Sequence, residues 1–471
     1  MRPLEIIGWL IALVPVMALL GVIPVSVGIG ASLVAGCVLV GSALWMGAYW
    51  QLLPLYLGVL LGAAGLVLLK QRPQWQRTLP ALAIACLLVA TATVTFILPM
   101  FRLPKPTGPY AVGTRIVHLV DPVRMETHVP GPPARREIMV QIWYPAAPSG
   151  QHLASYRTRR ETTWLSSYMD VLWTHSYMDA PLAAGGPFPV LLFNPAWGGQ
   201  RTQNTYQTED LASHGFIVAG IDHPYNSGPM AFPDGRILHV GNSHDIADFH
   251  DTTLAQQIAI GDKEVRIQAG DDILALNYLA AANSDPRSPW FQHVDANNAG
   301  AFGHSFGGAV SAQASYQDAR VKAAVNEDGW MFGDVSTYGL KKPYMVMSDD
   351  SPIDPAKLHS ENVQTRRETE LNLRDEANMR KTLEEFGGYF FPILGAKHND
   401  FRDRVLYSPL RRLTEAGSIS PQRAHRIIED YTLQFFSHYL LNRPAPLLTE
   451  SRNPYKEVQF ENWFAKNALT R

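Results

Sequence analysis

Charge is scarce in this 471-residue sequence, 17% of residues against 46% hydrophobic, and the scarcity is concentrated at one end. No Asp, Glu, Lys or Arg occurs from Ile6 to Leu69, and none from Thr78 to Phe101. Only two cysteines are present, Cys37 and Cys86, both inside those runs, which excludes a disulfide framework for everything after residue 101. Basic residues are not in excess either: 40 Lys and Arg stand against 42 Asp and Glu, a net charge of −2 that gives nucleic acid no footing. Internal repeats and low-complexity tracts are also lacking.

The longer uncharged run far exceeds the roughly 20 residues that cross a hydrocarbon core, and it is too long for a secretory signal peptide. Breaks at Pro24 to Gly30 and Gly47 to Gln51 divide it into expected membrane helices over residues 5–23, 27–46 and 52–69, with another over 79–100. Residues 1–101 are thus read as about four transmembrane helices, with three as the alternative. Soluble helices this apolar rarely follow one another without a charged face, which argues against a buried soluble bundle. Lys70, Arg72 and Arg77 form an acid-free loop of the kind that stays in the cytoplasm. A multi-pass protein of the inner or plasma membrane is expected, with the rest of the chain on the outer, periplasmic or extracellular side. Arg102 and Lys105 flank the other end of the last helix and reduce that asymmetry.

Residues 102–112, with three prolines and a glycine, read as a stiff linker, and residues 113–471 as one soluble domain. Arg115–Val120 and Ile138–Tyr144 have the alternation of two early strands, with a turn at Pro130–Pro133. Short apolar runs follow at Pro189–Phe193, Phe216–Ile221, Ala299–Phe302, Val321–Val325, Tyr344–Met347 and Tyr389–Leu394, as suits strands buried on both faces of a parallel sheet. Helical segments lie among them at Thr205–His214, Lys263–Ala281, Gly307–Tyr316 and Thr365–Phe386, and a last one at Pro421–Leu441. Strand and helix alternate, so a doubly wound, mostly parallel α/β sheet is expected, its site beyond the carboxyl ends of the strands.

The chemistry is concentrated at Gly303-His304-Ser305-Phe306-Gly307, set between an apolar strand and a helix. This is the G-x-S-x-G elbow of the α/β hydrolases in its required context, where the flanking glycines leave room for a strained turn that exposes the serine. A serine hydroxyl needs a base, and in this fold the histidine comes last in chain order. His398 lies in a loop just after the last apolar run, whereas His425 and His438 fall on the final helix and His359 in a polar stretch. The carboxylate that must orient the imidazole has two possible places, Asp328 or the pair Asp349 and Asp350, and chain position leaves both open. Two backbone N–H groups should hold the oxyanion: that of Phe306, after the nucleophile, and one from Asn194-Pro-Ala-Trp-Gly-Gly, with Trp197 as donor. Histidines in Asp222-His-Pro, Ser243-His-Asp and Asp248-Phe-His-Asp are read as loop residues rather than metal ligands.

These residues resemble the platelet-activating factor acetylhydrolases of the plasma and intracellular type II kind. The resemblance runs through Val140-Gln-Ile-Trp-Tyr-Pro, Asp210-Leu-Ala-Ser-His-Gly-Phe-Ile-Val-Ala, Gly303-His-Ser-Phe-Gly-Gly-Ala, Glu327-Asp-Gly-Trp-Met and the loop at His398. It implies that Asp328 is the acid, that Trp197 and Phe306 give the oxyanion amides, that Trp330 lines the acyl pocket, and that no metal or cofactor is used. The implied substrates are short-acyl esters, among them phospholipids with a short or oxidised sn-2 chain. A general carboxylesterase or polyester hydrolase is the alternative enzyme, and a membrane sensor that binds without turnover the alternative outside enzymes. Where the family has Ser-His-Gly before the oxyanion residue, this chain has Asn194-Pro195-Ala196, and Pro195 brings no N–H to that loop.

Overall fold

The computed structural model describes residues 1–128, 133–240, 252–449 and 453–470. The expected turn at residues 130–132 and the histidines His244 and His250 lie outside the described residues. Internal contacts divide the chain into two units. One comprises Met1–Arg102 with the segments Ser155–Trp173 and Leu406–Thr414, and the other comprises the remainder.

The first unit is built on five apolar helices: α1 (Pro3–Ile11), α2 (Leu13–Leu19), α3 (Val25–Met46), α4 (Leu53–Leu68) and α5 (Gln74–Ile97). The helix expected over residues 5–23 is interrupted at Ala12, because Pro15 has no N–H for the Ile11 carbonyl. Three helical stretches, Val25–Met46, Trp50–Leu68 and Gln74–Ile97, are long and apolar enough to cross a membrane, and Pro3–Leu19 is shorter. Small residues let the helices approach: a Cβ added at Gly28 would lie 2.5 Å from that of Ala18, and one at Gly62 3.1 Å from that of Pro15. The outer faces carry exposed Leu33, Val40, Leu60, Leu79 and Val89. The Arg2 guanidinium donates to the carbonyls of Met46, Gly47 and Val171, tying the segment 155–173 to the helix ends, and the Trp164 ring stacks on Trp50 at 4.7 Å.

Among the described residues, the second unit is organised by an eleven-stranded sheet. Its strands in chain order are β1 (Ala111–Met125), β2 (Arg135–Ala146), β3 (Leu153–Ser155), β4 (Trp173–Met178), β5 (Phe188–Asn194), β6 (Ile217–Asp222), then, after the two-stranded ribbon of β7 (Met230–Ala231) and β8 (Ile237–Leu238), β9 (Val294–His304), β10 (Val321–Glu327), β11 (Tyr344–Ser348), β12 (Tyr389–Pro392) and β13 (Glu461–Asn462). The spatial order is β13-β12-β11-β10-β9-β5-β6-β2-β1-β4-β3. From β6 to β12 every neighbouring pair is parallel, while β2 runs antiparallel to β6 and β1 to β2. Strands β5 and β6 are buried at every position, which is why they read as unbroken apolar runs. Helices α6 (Thr205–Ser213), α7 (Leu254–Ser284), α8 (Phe306–Gln317), α9 (Asp334–Tyr338), α10 (Val363–Phe386) and α11 (Pro421–Leu441) make the crossovers and cover the faces. Side-chain caps fix several starts: Thr253 begins α7, Asn362 begins α10 and Ser420 begins α11. The parallel strands end together at Asn194, Asp222, His304, Glu327, Ser348 and Pro392, so six loops leave one edge of the sheet.

Candidate active site

Ser305 occupies the single residue between the end of β9 and the start of α8, with φ 59° and ψ −125°, a conformation that costs a non-glycine residue strain. The turn is held from both sides, by Ser305 N–H donating to Glu327 O at 2.8 Å and Gly308 N–H donating to Ser305 O at 2.9 Å. Its glycines are sterically required. A Cβ at Gly303 or Gly307 would sit 2.6 or 2.0 Å from Asn194 O, and one at Gly308 2.2 Å from Asn326 Oδ1. The elbow is thus pressed against the end of β5, from which the loop of Trp197 departs.

His398 follows β12 and points back over the sheet edge: its Nε2 lies 3.0 Å from Ser305 Oγ and its Nδ1 2.5 Å from Asp328 Oδ2. Asp328 follows β10 and accepts the Asp349 N–H on Oδ1 at 2.9 Å, while its own N–H donates to Met347 O at 2.7 Å. Of the two acid positions left open by chain order, the geometry brings only Asp328 to the imidazole. Asp349 meets Asp328 through its backbone, and Asp350 accepts the Gly395 N–H, holding the histidine loop. Burial and the charge of Asp328 push the Asp349 carboxyl up to about 6.

Phe306 begins α8, and its ring packs edge-on against Trp197 at 4.9 Å. Asn194, where the sequence departs from the family pattern, is fully buried. Its amide donates to Asp272 Oδ2 at 2.9 Å and Ser311 Oγ at 3.0 Å, and its Oδ1 lies 3.0 Å from His223 Nε2. The histidine of Asp222-His-Pro is therefore buried among protein partners and is not a solvated loop residue, because Asp271 also takes its Nδ1 at 3.1 Å.

A cavity of about 800 Å³ opens on Ser305 and His398, walled by Trp330, Ile353 and the α10 side chains of Leu371, Asn372 and Met379. Trp330 is placed by its indole N–H donating to Asn372 Oδ1 at 2.9 Å, and Asp375 accepts the next amide, that of Met331, at 3.1 Å. Burial pushes the Asp375 carboxyl up to about 7. Reading the sequence missed Asn372 and Asp375; their signal is polar residues sharing the buried face of an otherwise amphipathic helix with Leu371 and Met379.

Fold and comparison define the same class, an ester hydrolase of the α/β-hydrolase fold. A ferulic acid esterase from Streptomyces cinnamoneus superposes with a TM-score of 0.60 at 27% identity, over 76% of this chain and 99% of its own. The family model of platelet-activating factor acetylhydrolase, isoform II, matches residues 97–443, and the chain belongs to that family. A probable 1-alkyl-2-acetylglycerophosphocholine esterase of Arthroderma benhamiae is 26% identical over 424 residues, 80% of this chain and 98% of the relative. The platelet-activating factor acetylhydrolase of Canis lupus familiaris is 25% identical over 267 residues, 49% of this chain and 55% of the relative. The region matched by the family model includes Ser305, Asp328 and His398.

Proposed function

We propose that the second unit hydrolyses short-acyl esters through an acyl-enzyme. Ser305 Oγ attacks the ester carbonyl as His398 Nε2 takes its proton, and Asp328 holds the imidazole by Nδ1 and stabilises its charged form. The N–H groups of Trp197 and Phe306 receive the oxyanion, and the protonated His398 then gives its proton to the departing alcohol. Water, activated by the same histidine, releases the acyl group. The observation that carries this reading is the hydrogen-bonded series Asp328–His398–Ser305 at the mouth of the cavity. Trp330 is assigned to the acyl wall. The relatives' names favour phospholipids with an acetyl or similarly short sn-2 chain as substrates.

Residues 1–101 are proposed to cross the membrane, joined by the linker 102–112 to the catalytic region 113–471, which lies on the outer side. Support comes from three helices of sufficient length and from apolar side chains on their outer faces. The test uses the detergent-solubilised full chain with p-nitrophenyl esters graded from acetate to palmitate, together with a fluorophosphonate probe. Labelling of Ser305 and a rate that falls with acyl length are expected. An unlabelled protein without turnover overturns the enzyme reading, and a preference for palmitate overturns the short-acyl one.

A further inference from the structure

The mechanism above makes no use of His304, the residue inside the elbow just before the nucleophile, although its ring is fully buried and lies 4.4 Å from that of His398. Both of its nitrogens are engaged. Nε2 faces the carbonyl oxygen of His398 at 2.8 Å, and a carbonyl only accepts, so the proton resides on Nε2. Nδ1 is then the acceptor, and the side-chain amide of Gln203 donates to it at 3.2 Å. The other end of that amide, Gln203 Oε1, accepts the backbone N–H of Ala196 at 3.2 Å, one residue before Trp197. A single directed chain therefore runs from the Ala196 N–H through Gln203 and the neutral tautomer of His304 to the backbone of His398. Burial and the neighbouring His398 and Arg402 hold His304 well below the ordinary histidine range, in keeping with that neutral form.

The surroundings leave this chain little slack. A Cβ on Gly199 would fall 2.2 Å from Gln203 Oε1, so the glycine after the Trp197 turn is what admits the amide. Asn204, next to Gln203, donates to Phe401 O at 2.9 Å, and Gln203 O accepts the Asp403 N–H at 3.0 Å, so the start of α6 clasps the same histidine loop further along. Phe401 in turn stacks on the His304 ring.

We propose that His304 and Gln203 are positioning residues that lock the oxyanion loop and the general base into one register about Ser305, so that the amide of Trp197 is aimed at the carbonyl oxygen while Nε2 of His398 is aimed at the Ser305 hydroxyl that attacks the same carbonyl. Neither touches substrate. The proposal rests on the serine-hydrolase reading of the site, and what it adds is that the two halves of the machinery are set by one internal hydrogen-bond chain rather than separately by their own loops.

The test compares His304→Phe, which keeps the ring stack and removes both hydrogen bonds, with His304→Gln, whose amide can accept from Gln203 and donate to the His398 carbonyl. Turnover of p-nitrophenyl acetate by the full chain in detergent is expressed per serine titrated with a fluorophosphonate, so that misfolded protein drops out. His304→Phe is expected to lower kcat per titrated serine by about 10- to 100-fold with KM changed less than about threefold, the scale of loss that misplaced catalytic groups produce. His304→Gln should recover most of it, and Gln203→Leu should resemble His304→Phe, with the double variant no worse than either single one. Equal kcat per titrated serine in His304→Phe and the parent, or equal losses in the Phe and Gln variants, overturns the proposal while leaving the hydrolase reading intact. If His304→Phe yields no folded protein, Gln203→Leu decides by the same criterion. A parent enzyme that neither labels nor turns over removes both readings at once.

Discussion

At the scale of the residue, the series Asp328–His398–Ser305 assigns each group a distinct sensitivity. Ser305→Ala should abolish probe labelling and lower kcat by several powers of ten, on the order of a millionfold where the rest of the machinery is intact, without loss of thermal stability. Asp328→Asn should cost about 10⁴-fold, since the imidazole then loses its tautomer and its stabilising charge. Asp349→Asn should cost less than about tenfold, because Asp349 reaches Asp328 through a backbone N–H that the substitution keeps and only a nearby charge changes. Steady-state kinetics on the three variants checks the order, and an Asp349→Asn loss as deep as that of Asp328→Asn would show that the acid has been misassigned. Ser305 and His398 were legible in the sequence because the elbow motif and chain order single them out. Choosing Asp328 over Asp349 and Asp350 needed either a family resemblance or coordinates, since all three follow strands that end at the same edge of the sheet. His304 and Gln203 were not legible: their roles depend on which nitrogen faces which oxygen, and no spacing encodes that.

Elements set the positions of these side chains, and one of the tightest junctions is between the end of β5 and the first turn of α8. A methyl at Gly307 would meet the backbone carbonyl of Asn194 at 2.0 Å, and that residue is buried at the end of a central strand and paired with Gly303 of β9. Gly307→Ala should therefore lower the melting temperature and activity together, with a stability loss of about 1–3 kcal/mol or more, as is typical of overpacking. Unchanged melting would mean that the elbow can open away from β5. Helix α10 governs the cavity in a different way. Removing the Asn372 amide releases the indole of Trp330 while leaving the Asp328–His398–Ser305 series untouched, so Asn372→Ala should flatten the dependence of kcat/KM on acyl length with little change for acetate. Identical acyl-length profiles in variant and parent would remove Trp330 from the acyl wall. The buried strands and long helices were legible because burial on both faces leaves an unbroken apolar signature. The short strands β3, β4 and β13 were not, since two to six residues at a sheet margin carry too little pattern, and the break in the first apolar helix depended on a single proline.

For the molecule as a whole, sidedness is the simplest expectation: a phosphatase reporter fused after residue 105 should be active outside the cytoplasm and one fused at residue 74 silent, the reverse pattern placing catalysis in the cytoplasm.

The stability of the second unit has its own dependence on pH, set by buried groups that take no part in the proposed reaction. Burial raises the Glu327 carboxyl from 4.5 to about 8, despite donors from Gln207 and Asn204, and raises Asp375 from 3.8 to about 7. His128 is buried too, but hydrogen bonds to Glu126 and Glu264 overcome the desolvation and lift it from 6.5 to about 9. In each case the folded state holds a proton that the unfolded chain has released, between 3.8 and about 7 for Asp375, 4.5 and about 8 for Glu327, and 6.5 and about 9 for His128. Stability changes with pH as the difference in protons bound, so wherever the native state binds more, it falls as pH rises. The sign is the same for all three groups between pH 6.5 and 9. The carboxyls lose a favourable neutral form as pH climbs through 7 and 8, and His128 loses a stabilising pair of ion contacts as pH climbs through 9. His425, lowered from 6.5 to about 4 by burial, acts only below that window, where its reluctance to charge makes acid destabilising. The urea midpoint of the full chain in detergent, followed by tryptophan fluorescence, should therefore fall steadily from pH 6.5 to pH 9. Glu327→Gln should make the slope shallower up to about pH 8, leaving the contribution of Asp375 up to about 7 and that of His128 between 6.5 and about 9. A midpoint that rises toward pH 9 would mean that Glu327 and Asp375 are ionised in the folded protein and that the polar network behind the elbow holds charge instead of excluding it.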